Sequence, residues 1–404
     1  MNHYRFPYID HINDVLEVIK DSPEFTVAER GDHTIINYNV AFESTFPPVP
    51  AEWDDPASYD AMIRRECRGI IFDSKTGAVI ARRLHKFFNV GEREETQPHN
   101  IDFNQPHWIL EKLDGSMITP YYVNNVLYWG TKMGQTDVGR LAEAFVAVNP
   151  QYNRFARWAK YDRCTLIFEF VSRDQRIVVD YPEDQLVLIA IRNNWSGEYW
   201  EYQGIASIAE QFGVPVVKQY EGTAKNIQQL VEHTRGLKGQ EGFVVRFKSG
   251  HMVKIKSEWY VNLHKTKDLI RYERNLVRLI FDNQIDDLKQ FLDASDFSRV
   301  EKYCELFEYD IKQFIDAAVK HLDRVRESGI DRKTYALTTA LVVHPIIKTM
   351  VFKLWDRQVM VADVEQILVD QIRAHLSTNV KFEELRNMHV IKTAQWNVQE
   401  LEAA

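Results

Sequence analysis

Short runs of β-branched and aromatic residues, closed off by turn residues, recur through the first two thirds of the chain. They are HTIINYNV at 33–40, RGIIFDSKTGAVIARR at 68–83, VLYWGTK at 126–132, TLIFEFV at 165–171, QLVLIAIR at 185–192, EGFVVRF at 241–247 and HMVKIK at 251–256. Such runs read as antiparallel strands, and SKTG at 74–77 reads as a hairpin turn between two of them. Helical spacing appears near 9–20, 137–148 and 225–235. The mixture predicts an α+β domain on antiparallel sheets over residues 1–260. From 261 to 404 the spacing becomes helical, as in VEQILVDQIRAHL at 364–376, and typical helix lengths predict about five to eight helices there. Glycine and proline mark the same change: of 17 Gly only Gly329 lies beyond residue 261, and of 13 Pro only Pro345 does. The proline-rich stretch at 46–58 is expected to be a surface loop.

Composition narrows the class. With 45% hydrophobic and 27% charged residues, the chain can bury a real core. A net charge of -8 argues against coating nucleic acid by bulk charge but leaves room for a local basic groove. Cys67, Cys164 and Cys304 are far apart and have no metal-ligand spacing, so neither a structural zinc site nor a disulfide framework is expected. The polar start MNHYRFPYIDH is unlike a signal peptide. The most apolar stretch, near 340–347, is too short to span a bilayer. A cytoplasmic, membrane-free and monomeric protein is expected.

Four segments carry candidate chemistry. In Glu111-Lys112-Leu113-Asp114-Gly115-Ser116 a lysine is followed two residues later by Asp-Gly, the pattern of covalent nucleotidyl transfer. Taken alone it reads more readily as a surface turn with a solvated lysine. In Met252-Val253-Lys254-Ile255-Lys256 the period of two puts both lysines on one strand face, which suits a cleft or an edge strand. Glu169 interrupts an apolar strand, where a carboxylate needs a partner or a polar site. Upstream, CRGIIFD and HKFFNVGE put Arg68 and Lys86 on neighbouring strands.

In this order the segments resemble the covalent nucleotidyltransferase superfamily of polynucleotide ligases and capping guanylyltransferases. CRGIIFD and HKFFNVGE are similar to blocks of the RNA ligase 1 family of T-even and related bacteriophages. The likeness covers roughly residues 30–265. It implies an adenylyltransferase domain followed by a helical domain for RNA specificity. It implies ATP as cosubstrate, with AMP carried on Lys112 in a loop shaped by Asp114 and Gly115, and Mg²⁺ or Mn²⁺ as cofactor. The implied partner is RNA with single-stranded ends, cleaved tRNA foremost. Arg68 and Lys86 match phosphate contacts, Phe88 a position near the adenine, and Tyr38 and Lys132 further nucleotide contacts. Glu169 matches a ribose-binding acid, and Glu241 one that serves metal and later steps. Val244, Lys254, Lys256 and Tyr260 complete the nucleotide site. Lys112, Glu169, Glu241, Lys254 and Lys256 are the expected catalytic set, with Asp286 as an added metal contact.

An unperturbed lysine titrates near 10.4, so Lys112 must lose a proton to attack the α-phosphate. Neighbouring cations are expected to favour that loss. No GxxxxGK[ST] run is present, which argues against a P-loop kinase. A DNA ligase or capping enzyme would place a strand-rich, glycine-rich OB-fold after the Lys-x-Lys strand, where this chain turns helical. A non-catalytic RNA-binding protein would not need the full lysine and glutamate set. Lys267, Arg271, Arg274 and Arg278 at helical spacing form either a phosphate-tracking stripe or an ordinary solvated face.

Overall fold

The computed structural model describes residues 5–49, 55–173, 175–222, 224–357 and 360–396. The chain divides into two compact units, with the boundary between Val261 and Asn262.

The first unit holds three four-stranded sheets. Strands β1 (Phe25–Glu29), β2 (His33–Tyr38), β3 (Arg68–Asp73) and β4 (Val79–Ala81) form one in chain order. Next along the chain come β5 (Phe88–Asn89), β6 (His107–Lys112), β7 (Ser116–Val123) and β8 (Val126–Gly130). They are followed by β9 (Cys164–Val171), β10 (Gln185–Asn193), β11 (Gly242–Phe247) and β12 (Met252–Lys256). The second sheet has order β10-β9-β7-β8 and the third β5-β12-β11-β6. All pairs are antiparallel except β5 with β12. The expected turn at 74–77 closes β3 onto β4, with Asp73 Oδ1 accepting from the Lys75 and Thr76 N–H groups. Lys86, expected on a strand beside Arg68, instead lies past β4 on an extended link, where its N–H donates to the Arg65 carbonyl.

Each sheet buries one side under helices. Leu166, Phe168 and Phe170 of β9 share a strand face and pack with Phe155 of helix Gln151–Tyr161 and Ile205 of helix Tyr202–Phe212. Burying each such side chain is worth about 1.5–3 kcal/mol. The first sheet packs on helices Ile12–Ile19 and Pro56–Glu66, the third on Ile227–Arg235. Of the expected loop at 46–58, residues 50–54 lie outside the described residues. Its end is helix instead, because Asp55 caps the Ala57 N–H and Pro56 takes the first helical position.

Glu66 closes helix Pro56–Glu66 inside the unit, fully buried. Its carboxylate accepts from Arg82 Nε at 2.9 Å and from Arg192 Nη2 at 2.6 Å, both guanidiniums equally buried. Arg82 also donates to the Pro7 and Trp195 carbonyls, and Arg192 to that of Gly197.

Among its described residues the second unit contains helices and no strand. Its longest helix, Ala294–Glu327, starts at a side-chain cap from Asp293 and is followed by Gly329 at φ +61°. Asp331 caps the short helix Arg332–Leu337. The segment 264–280 is not one helix: Glu258–Ile270 and Glu273–Phe281 are separated by Tyr272 in an extended conformation. The basic stripe is largely engaged within the unit. Lys267 pairs with Asp296 at 3.0 Å, and Arg274 and Arg278 donate to the Leu376 carbonyl beyond helix Val361–His375. Lys267, Arg274 and Arg278 thus form neither a solvated face nor an open stripe: the arginines satisfy a carbonyl that a helix end leaves without a partner. Among the described residues, no helix is long and apolar enough to cross a membrane.

Candidate active site

Strand β11 lies between β6 and β12, and the register sets three rows across them. Lys112, Gly242 and Lys256 form one row, Leu110, Val244 and Lys254 the next, and Trp108, Arg246 and Met252 the third. Cross-strand neighbours share a face, and the opposite face, with Phe243, Val245 and Val253, packs in the core. The Lys-x-Lys spacing therefore does what strand alternation requires of it. Gly242 sits at φ +145°, and a Cβ there would run into the Ile255 carbonyl, so the first row closes tightly only with glycine.

Just ahead of β11, Glu241 is 3% exposed and shared by two lysines. One carboxylate oxygen accepts from Lys112 Nζ and the other from Lys256 Nζ, each at 2.9 Å. Lys112 remains 22% exposed, on the wall of a cleft of about 390 Å³. The loop after it is anchored through Asp114. That carboxylate accepts from the Val178 and Val179 N–H groups at 2.8 Å and from the Tyr260 hydroxyl at 2.7 Å, while the Asp114 N–H donates to the Tyr181 hydroxyl. At Gly115 a side chain would meet the Phe170 carbonyl.

Tyr38, Arg68, Lys112, Gly115, Lys132, Glu169 and Val244 all line the cleft. Lys86, Phe88, Glu241, Lys254, Lys256 and Tyr260 do not. Glu241 and Lys256 nevertheless meet at Lys112, and Tyr260 supports it through Asp114 and lies 4.8 Å under Lys256 Nζ. Lys86 Nζ sits 5.2 Å from the Tyr38 ring and 5.0 Å from that of Phe88. Phe88 is a correction: its ring is 1% exposed in the core with Phe46 and Ile63, and Phe87 lines the cleft instead. Adjacent residues of an extended segment point to opposite sides, so only one of the two can face it. Asp286 is exposed on the short helix Ile285–Leu288 of the second unit and is not among the cleft-lining residues. Arg246 and Met252 line the cleft without having been anticipated, although both continue the strand faces of Val244 and Lys254.

Charge is concentrated here. Burial, and then Lys86, Lys112 and Arg68, lower Lys254 to about 7. Burial and then Arg68 lower Lys86 to about 8. Glu169, on β9 opposite Met117, is raised to about 7 by burial, with Lys112 opposing and Glu241 adding to the rise. Lys112 itself is ion-paired with Glu241 at 2.9 Å.

Comparison with known proteins places these features in a family. A model described as RNA ligase matches residues 66–260, and one described as the C-terminal domain of T4 RNA ligase 1 matches residues 267–383. A putative RNA ligase of Thermovibrio ammonificans is 29% identical over 262 residues, 62% of this chain and 67% of that protein. A putative bifunctional polynucleotide kinase/RNA ligase of Autographa californica nuclear polyhedrosis virus is 31% identical over 243 residues, 55% of this chain and only 34% of that protein. An archaeal ATP-dependent RNA ligase structure superposes with TM-score 0.42 and 14% identity, covering 70% of this chain and 72% of that one.

Proposed function

Since the chain belongs to the RNA ligase family, with models matching both its sheet unit and its helical unit, we propose that it joins RNA 5′-phosphate to 3′-hydroxyl ends at the expense of ATP. The observation that carries the reading is the row Lys112, Gly242, Lys256, closed by the shared Glu241 carboxylate beside a cation-lined cleft.

The reaction runs in three displacements. Lys112 Nζ attacks the α-phosphorus of ATP; an N–P bond forms, the α–β P–O bond breaks and pyrophosphate leaves. An RNA 5′-phosphate oxygen then displaces the lysine, taking the AMP. A 3′-hydroxyl finally attacks the 5′-phosphorus and releases AMP. Glu241 accepts a hydrogen bond from the Lys112 ammonium and is placed to receive the proton that must leave before the first attack. Arg68, Lys132 and Lys256 supply positive charge where phosphate charge grows in the transition state, and Lys254 adds to it below about pH 7. Glu169 meets the ribose. The carboxylates of Glu169 and Glu241 are hard oxygen donors suited to Mg²⁺ or Mn²⁺, which would neutralise phosphate charge when bound. Among the described residues no cluster of three or more His, Cys, Asp or Glu is arranged to hold a metal. The remaining ligands would then be phosphate oxygens and water, as is usual for Mg²⁺. Labelled ATP tests the proposal directly: acid-labile AMP should appear on Lys112 by peptide mapping, and an unlabelled protein would refute it.

Lys254→Ala and Lys256→Ala should each lower lysyl-AMP formation by about tenfold or more, with thermal midpoints close to that of the parent. Neither lysine belongs to the apolar core of the third sheet, so their loss removes positive charge beside Lys112 and opens no core cavity. Lys254 also imposes a pH signature. It is charged below about 7 and neutral above, so the KM for ATP should rise as pH climbs through that value, and Lys254→Ala should flatten the rise. Normal rates with a lowered midpoint would make the lysines structural.

Substrate choice, with a broken tRNA as the favoured RNA, is assigned to the second unit. A chain ending near Asp268 should still form lysyl-AMP but lose its preference for broken tRNA over a linear oligonucleotide. The ratio of joining rates on the two RNAs at one salt concentration checks this. An unchanged ratio would leave selection with the sheet unit alone.

A further inference from the structure

The third row of the grid holds a cation that the three displacements do not use. Arg246 is 2% exposed and lines the cleft. Its Nε and Nη2 have no hydrogen-bond partner, and the guanidinium lies 5.5 Å over the Trp108 ring. A buried donor left without an acceptor is disfavoured, and more so when charged. Such a group in the wall of a ligand cleft is explained if the ligand brings the acceptor.

The position says which part of the ligand that is. Lys112 and Gly242 mark the α-phosphate end. Arg246 is four residues further along β11, about 13 Å at the usual rise, and the span suits a purine nucleoside monophosphate. Between the two ends the middle row offers the apolar Leu110 and Val244, and Ile189, Val217 and Met252 also line the cleft. An apolar slot takes a flat heteroaromatic ring, and a guanidinium at its far end offers donors only. It can meet a ring nitrogen of adenine but not the exocyclic amino group, itself a donor.

Resting on the nucleotide-binding reading above, we propose that Arg246 reads the base of ATP by donating a hydrogen bond to one adenine ring nitrogen. The residue acts in nucleotide selection and leaves the phosphate chemistry to the first row.

The test is calorimetric titration of the full-length protein, without added divalent metal, with ATP and with its 1-deaza, 3-deaza and 7-deaza analogues. Arg246→Met is titrated alongside. One analogue should bind the parent about tenfold more weakly than ATP does. Arg246→Met should bind ATP with that same loss and be indifferent to the same deletion. Equal sensitivity of parent and variant would overturn the proposal, as would a parent indifferent to all three analogues. If Arg246→Met melts early, Arg246→Lys takes its place, since it keeps the buried charge but not the fork of donors. Selective binding without lysyl-AMP would leave the assignment of Arg246 standing and sink the ligase reading. Lysyl-AMP formation without ring-nitrogen selectivity would do the reverse.

Discussion

Lys112→Ala should carry no AMP at all after incubation with labelled ATP, a loss to below the detection limit. The side chain supplies the bond-forming nitrogen, and its lysine neighbours on the sheet are held elsewhere: Lys256 on the far oxygen of Glu241, and Lys254 one row further along. The variant should keep its fold, because Lys112 is partly exposed and its removal leaves Glu241 still paired with Lys256. It should also still join RNA that already bears a 5′-adenylyl group, since the last displacement needs the cations and the 3′-hydroxyl but no lysine nucleophile. Retention of label at the parental level would remove Lys112 from the mechanism. Loss of joining on adenylylated RNA as well would mean that its charge serves the final step.

Glu66→Gln should lower stability by about 3–5 kcal/mol, the usual cost of breaking a buried ion pair from one side. Glutamine keeps the shape but leaves the Arg82 and Arg192 guanidiniums buried without a counter-charge. The effect has a pH window. Burial pushes the Glu66 carboxyl up, but Arg192 and Arg82 outweigh it and hold the group at about 2, below the unfolded value of about 4.3. Stabilisation by Glu66 is therefore complete above the unfolded value and drains away as pH falls toward the folded one. Urea melts of parent and variant should differ most near neutrality and converge below about pH 4. Curves that coincide at pH 7 would show that the two arginines are satisfied by their carbonyl partners alone.

How far the sequence could foresee these features depended on how local they are. Strand alternation alone places Lys254 and Lys256 on one face and Val253 and Ile255 on the other, because a period of two is a property of the backbone. Extending the same count along β11 from Val244 would have reached Arg246, but a strand arginine looks like any solvated cation until its burial is known. In Phe87-Phe88 the two rings are chemically identical, and which one faces the cleft depends on the two-residue pairing of β5 with β12. Helical spacing from Lys267 to Arg278 predicted a single stripe and could not anticipate the break at Tyr272 or the Leu376 carbonyl that receives two of its arginines. Glu66, Arg82 and Arg192 raised no signal at all. Each stands in an unremarkable local context, and only the tertiary fold reveals that they are one group.

That group also has a history in time. The Glu66–Arg192 bond joins residues 126 positions apart, and the bonds of Arg82 to Pro7 and Trp195 span 75 and 113. On a ribosome adding about 5–20 residues per second, Arg192 is polymerised roughly 6–25 s after Glu66. Throughout that interval Glu66 has Arg82 but lacks its second arginine, so the last turn of helix Pro56–Glu66 reaches its fully paired seat only once Arg192 is in place. The nascent N-terminal third must then wait, incompletely packed, for β10 to emerge.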